Sequence, residues 1–326
     1  MSETTTPTMA TPAKPHRGAQ PKPDLRVRLA GIPLTNPVIA ASGTFGYGIE
    51  FEDIVSLEKL GGFVVKGLSR DPMPGNPPPR LFETAAGMLN SIGLQNVGAE
   101  TFLKEKLPHL RKIKGPAIIV NVFGYTREDY RDVITMLNEG EGIAAFELNV
   151  SCPNTRAGGI VFGTDPMMLE EVVSTVKPVC QRPLIVKLSP NVTSIAKMAK
   201  AAENAGADAI SLVNTFGAMA IDPETRRPRI ATITGGLSGP AIKPIALRMV
   251  YEAAHAVNIP VIGMGGISTA TDIVEFMLAG AAAIQVGTLN YWDPCATEKL
   301  VEGLESWAFE HRIEHITELT GAMKTE

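Results

Sequence analysis

The chain has few of the residues from which disulfide scaffolds, metal clusters and nucleic-acid faces are built. Its 326 residues include only three cysteines, Cys152, Cys180 and Cys295. That excludes a disulfide-dense secreted scaffold and fits a reducing compartment, so a cytoplasmic protein is expected. It also falls short of the four thiolates that usually hold an iron–sulfur cluster, and no metal site is expected. Basic charge is not in excess: 30 Lys+Arg against 34 Asp+Glu leave a net charge of −4, which argues against a nucleic-acid binder. No apolar run approaches the roughly 18 residues needed to span a bilayer. Residues 1–24, MSETTTPTMATPAKPHRGAQPKPD, lack the apolar core of a signal peptide and read as a disordered tail. One folded catalytic domain is expected over residues 25–326.

What the chain does have is a series of short apolar runs rich in Val and Ile. They are Pro37–Ala41, Gly62–Lys66, Ala117–Asn121, Ala145–Asn149, Pro183–Leu188, Ala209–Val213, Pro260–Met264 and Ala283–Gly287. Several are almost continuously apolar, as strands buried on both faces of a parallel sheet must be. Helical patterns lie between them: Thr126–Asn138, Asp165–Val179, Thr193–Ala205, Pro240–Val257, and a stretch opened by the capping-box-like Thr269–Asp272 and stopped before Gly280. Strand alternating with helix, eight times over, predicts a (β/α)8 TIM barrel. A doubly wound dinucleotide fold would want G-x-G-x-x-G after the first strand. The first turn, Ser42-Gly-Thr-Phe-Gly, does not match, and the late Gly263-Met-Gly265-Gly266-Ile-Ser268 ends in Ser. Two gaps, Gly67–Pro116 and Thr215–Ile259, exceed a loop plus a helix and predict lid insertions over the C-terminal face of the strands.

Active sites of such barrels lie where the strands end. The residues there are Ser42-Gly43, Lys66-Gly67, Asn121, Asn149, Lys187, Asn214-Thr215, Gly265-Gly266 and Gly287-Thr288. Singly, each has an ordinary reading, since Asn commonly makes turns and a lone Lys is commonly solvated. Together they point into one pocket, where two inward lysines need a charged partner. The glycines at the last two ends suit a phosphate cradle, as they would in a barrel whose phosphate sits after strands 7 and 8. Cys152, in Asn149-Val-Ser-Cys152-Pro-Asn154, lies three residues past a strand end among polar neighbours. None of the five histidines falls at a strand end, which counts against a Cys–His hydrolase and leaves Cys152 as a proton acceptor or donor.

The segments NPVIAASGTFGYG, GMLNSIGLQNVG, ELNVSCPN, VKLSPNV, LVNT, GGLSGPAIKP and IPVIGMGGI resemble the dihydroorotate dehydrogenases, in order and over nearly the whole folded chain. GMLNSIGLQN and GGLSGPAIKPIALRMVYE are similar to the class 1B, NAD-linked catalytic subunits. The resemblance implies an FMN-holding (β/α)8 barrel that oxidises (S)-dihydroorotate to orotate in pyrimidine biosynthesis. It implies that Cys152 is the catalytic base and that Lys187 stabilises reduced FMN. Lys66 would touch flavin and substrate. Ser42, Gly67, Asn121, Asn149, Val213, Gly239, Gly265, Gly266, Gly287 and Thr288 would also line the FMN. Asn90, Ser91, Ile92, Gly93, Leu94, Asn149, Asn214 and Thr215 would hold the substrate, with amides matched to a ring of alternating N–H and C=O groups. A partner subunit carrying FAD and a [2Fe-2S] cluster would pass electrons to NAD+, in a heterotetramer of two catalytic and two electron-transfer chains. The alternative within the family is a homodimer that uses fumarate. Outside it stand a flavin-free phosphate-binding isomerase or synthase and a non-enzymatic barrel; neither explains Cys152 together with Lys66 and Lys187.

Overall fold

The computed structural model describes residues 21–150 and 162–325. Cys152 therefore lies outside the described residues, as do residues 1–20 of the tail. Eight parallel strands form a closed barrel: β1 (Val38–Ala40), β2 (Gly62–Leu68), β3 (Ala117–Val122), β4 (Ile143–Asn149), β5 (Leu184–Lys187), β6 (Ala209–Leu212), β7 (Val261–Met264) and β8 (Ala283–Val286). Each pairs with its sequence neighbours, and β8 closes on β1 through Ile284↔Val38 and Val286↔Ala40. These are the eight predicted runs. β3, β5, β6, β7 and β8 are buried along their whole length, because helices cover them outside and the lumen is filled inside.

The predicted helices form as α1 (Arg127–Leu137), α2 (Pro166–Val176), α3 (Ile195–Asn204), α4 (Lys243–Ala254) and α5 (Ala270–Leu278), followed by α6 (Ala296–Glu310). Thr126 and Thr269 cap α1 and α5 with reciprocal capping boxes to Asp129 and Asp272. The first unit departs from the pattern. Between β1 and β2 there are only two 3-10 turns, Ile49–Phe51 and Leu57–Lys59. Gly43, Gly46 and Gly48 all take positive φ in that segment, a conformation that a helix does not accommodate. The last helix, α6, packs against β1 instead. Lys59 anchors the second turn to Glu298 and Glu302 of α6.

Both long insertions contribute to one lid. Leu81–Thr84 and Gly87–Asn90 come from the first, Phe216–Met219 and Thr234–Ser238 from the second. They join as a four-stranded antiparallel sheet in which Asn90 pairs with Gly236 and Met88 with Ser238. Gly236 is required there: a Cβ would lie 2.0 Å from the Thr215 hydroxyl oxygen. Trp292, just past β8, donates its indole N–H to Glu83 at 3.1 Å and ties barrel to lid.

Candidate active site

One large cavity opens between the C-terminal ends of the strands and the lid, with about 1360 Å³ of space including its mouth. Every residue predicted to line a flavin is in its wall: Ser42, Lys66, Gly67, Asn121, Asn149, Lys187, Val213, Gly239, Gly265, Gly266, Gly287 and Thr288. Asn90, Ile92, Gly93, Leu94, Asn214 and Thr215 join them from the lid and the end of β6. Ser91 does not face the cavity. It is buried, its N–H donates to Arg80 and its carbonyl accepts from Asn76.

The cationic side follows from the barrel geometry. Lys187 is the last residue of β5, where it stands in register with Asn149 of β4 and Ser211 of β6. It is only 6% exposed, and it makes no salt bridge among the described residues. A buried ammonium of this kind needs an anionic or acceptor-rich partner. Lys66 sits where the β2–β3 register shifts, between Val65 and Leu68. Its N–H donates to Gly46, and its Nζ lies 3.9 Å from where a Cβ on Gly43 would be. The first loop is thus wrapped around a lysine. Tyr291 steadies the loop by donating to the Gly43 carbonyl at 2.9 Å, and Tyr130 of α1 donates to the Asn149 carbonyl.

The opposite end is built from glycine. Gly239, Gly265 and Gly266 all have positive φ and line the cavity. A Cβ on Gly266 would lie 2.8 Å from the Gly239 carbonyl oxygen, so the two loops touch backbone to backbone. At Gly287 a Cβ would meet nothing closer than 3.8 Å, which leaves that backbone open to a ligand. The Thr288 hydroxyl donates to Ser238 of the lid. The N–H groups of Ser268 and Thr269, at the start of α5, are both taken by Asp272 at 2.8 Å. Those capped amides are thus spoken for, which leaves the glycine turn before α5 as the part of this end that faces the cavity. Burial pushes the Asp272 carboxyl up, but hydrogen bonds from Lys243 and from Ser268 and Thr269 outweigh it and hold the group below its usual value.

A polar layer crosses the barrel lumen beneath this pocket. Glu147 of β4, fully buried, accepts from Asn121 Nδ2 at 2.7 Å, Ser211 Oγ at 2.9 Å and Gln285 Nε2 at 2.7 Å. The Asn121 and Gln285 carbonyl oxygens are buried with no protein partner among the described residues, though both residues line the cavity. Sequence reasoning misses Glu147, Ser211 and Gln285 because they lie inside the apolar runs rather than at their ends. The available signal is a charge or amide within an otherwise buried strand. FMN fits these residues: glycine turns for a phosphate, a buried lysine for an electron-rich ring edge, and unpaired acceptors on the floor.

A family model described as "Dihydroorotate dehydrogenase" matches residues 24–307. A Solibacter usitatus protein provisionally named dihydroorotate dehydrogenase A (fumarate) is 58% identical over 93% of this chain and 99% of its own length. Proteins named dihydroorotate dehydrogenase B (NAD(+)), catalytic subunit, are similar over the same shares, at 57% identity in Geotalea uraniireducens and 55% in Pelobacter propionicus.

Proposed function

The chain belongs to the dihydroorotate dehydrogenase family, and from that premise we propose that it oxidises (S)-dihydroorotate to orotate, in pyrimidine biosynthesis, as an NAD-linked catalytic subunit. The observation that carries the reading is the meeting of Lys66, Lys187, Asn90, Asn149 and Asn214 with the glycine cradle in one cavity. Members of the family bind FMN, and one FMN per chain, when bound, supplies the acceptor for the hydride leaving C6 of the substrate. Cys152 takes the proton from C5, so that the C5–C6 double bond forms as both hydrogens depart. The buried Lys187 ammonium would stand against the flavin and would favour negative charge on it. Lys66 and the three asparagines hold the substrate ring and its carboxylate, since each amide offers a donor and an acceptor together. Gly239, Gly265, Gly266, Gly287 and Thr288 hold the phosphate.

An ordinary thiol titrates near pH 8.5, so turnover should rise with pH until Cys152 ionises. Cys152→Ala should retain FMN yet reduce it with dihydroorotate about 10²–10⁴-fold more slowly in stopped flow. Reduction at the parent rate would refute the assignment.

The names of most of the relatives above, B (NAD(+)) and catalytic subunit, support NAD+ as the final acceptor and a partner subunit; a partner carrying FAD and [2Fe-2S], a two-plus-two heterotetramer and a cytoplasmic location complete the proposal. Among the described residues no helix is long and apolar enough to cross a membrane. The name of the Solibacter relative favours a second reading, direct use of fumarate by a homodimer. Purified chain tested alone with fumarate, and with NAD+ after co-expression with an FAD/[2Fe-2S] electron-transfer subunit, separates the two. Turnover of the chain alone with fumarate sinks the NAD-linked reading.

A further inference from the structure

Two buried amides on the cavity floor, Asn121 and Gln285, share one unusual environment. Each turns its NH2 end onto the Glu147 carboxylate, and each leaves its carbonyl oxygen without a protein partner among the described residues. An amide is nearly symmetric in shape, and packing alone does not decide which end faces a ligand. A carboxylate does decide it, because it accepts and cannot donate. Glu147 is itself fully buried and is not part of the cavity wall. From β4 it reaches Asn121 on the neighbouring β3, with which it is in register, and Gln285 of β8 across the lumen, with the Ser211 hydroxyl as its third donor. Gly67 leaves the Asn121 oxygen uncovered: a Cβ there would lie 2.6 Å from it.

We propose that Glu147 is a positioning residue for the flavin, fixing the Asn121 and Gln285 carbonyl oxygens as the acceptors that the cavity floor offers to an N–H or O–H of the bound cofactor. This rests on the reading that the cavity takes FMN. The carboxylate never touches the cofactor; it acts through the two amides. Replacing it by an amide of the same shape, Glu147→Gln, introduces an NH2 that must find an acceptor. One of the two floor amides then turns its oxygen to residue 147 and its NH2 to the cavity, and an acceptor for the cofactor becomes a donor. Losing one well-placed buried hydrogen bond of this kind is worth about tenfold in affinity, or about 1.4 kcal/mol.

The test is FMN titration of flavin-stripped protein, followed by flavin fluorescence, with thermal unfolding measured alongside. Glu147→Gln should bind FMN about tenfold more weakly. Combined with Asn121→Ala, the two losses should fall well short of multiplying, since one acts through the other. Ser211→Ala removes a donor to Glu147 while both floor amides keep theirs; it should lower the melting temperature yet hold FMN affinity within about twofold. FMN affinity unchanged in Glu147→Gln, losses that multiply in the double variant, or affinity that falls in step with melting temperature in Ser211→Ala would each overturn the proposal. Parent protein that takes up no FMN would overturn the functional reading and this inference with it, whereas parent uptake with an indifferent Glu147→Gln sinks the inference alone.

Discussion

Lys187 and Cys180 differ in what burial does to them, and each difference can be measured. Lys187 presents its charge to the cavity from the end of β5. Lys187→Met keeps most of the bulk and removes the charge. It should weaken FMN retention and move the bound flavin to a more negative potential by roughly 30 mV, since that equals ~1.4 kcal/mol for a two-electron couple. An unchanged potential in a dye-coupled reduction would remove Lys187 from that role. Cys180 follows α2 and the 3-10 turn Lys177–Val179 that continues it, half-buried and away from the cavity. Burial pushes its thiol up to about 12, with Lys177 pulling down and Asp208 pushing up. At pH 7.5 it should be alkylated by iodoacetamide about two orders of magnitude more slowly in native protein than in urea, as read by peptide mapping. Comparable native and urea rates would show a thiol that burial does not protect.

At the scale of elements, α5 shows what one carboxylate holds together. Asp272 caps its own helix, pairs with Lys243 of α4 and fixes the turn that carries Gly265 and Gly266. Its folded value lies below its usual one, so its stabilisation is complete above the unfolded value near 4 and disappears as pH falls through the folded value. Asp272→Asn should cost about 1–2 kcal/mol at pH 7, a fall of about 2–4 °C in melting temperature. That gap should begin to narrow as pH falls below about 4 and go on closing as pH falls through the folded value; a gap that does not narrow at all on acidification would mean the charge is not its source. The capping box of α5 is legible as Thr269-x-x-Asp272, because its signal is local in sequence. The missing helix after β1 is less so. A general strand–helix alternation predicts one there, and only the positive φ at Gly43, Gly46 and Gly48 rules it out.

For the whole molecule, the barrel and the rim of its site were legible for a single reason. Topology carries the strand ends to one place, so Lys66, Asn121, Asn149, Lys187 and Asn214 could be gathered without knowing any contact. The polar layer below them could not be gathered this way. Glu147, Ser211 and Gln285 meet across the lumen through the stagger of strands that are not neighbours, and no local pattern records that stagger. Ser91 shows the converse limit. It sits between Asn90 and Ile92, both in the cavity wall, yet it turns into the lid's own packing. The alternation of side chains along an extended segment puts neighbours on opposite faces.

The lid sheet also imposes an order on the making of the protein. Asn90 hydrogen-bonds Gly236 across a separation of 146 residues, so the first half of the lid has no partner until most of the barrel has been synthesised. Its strand Gly87–Asn90 must wait with its second edge unpaired on the nascent chain, in reach of other chains and of chaperones. The nucleotide can be enclosed only after the second insertion has left the ribosome, so cofactor capture belongs to the final stage of maturation.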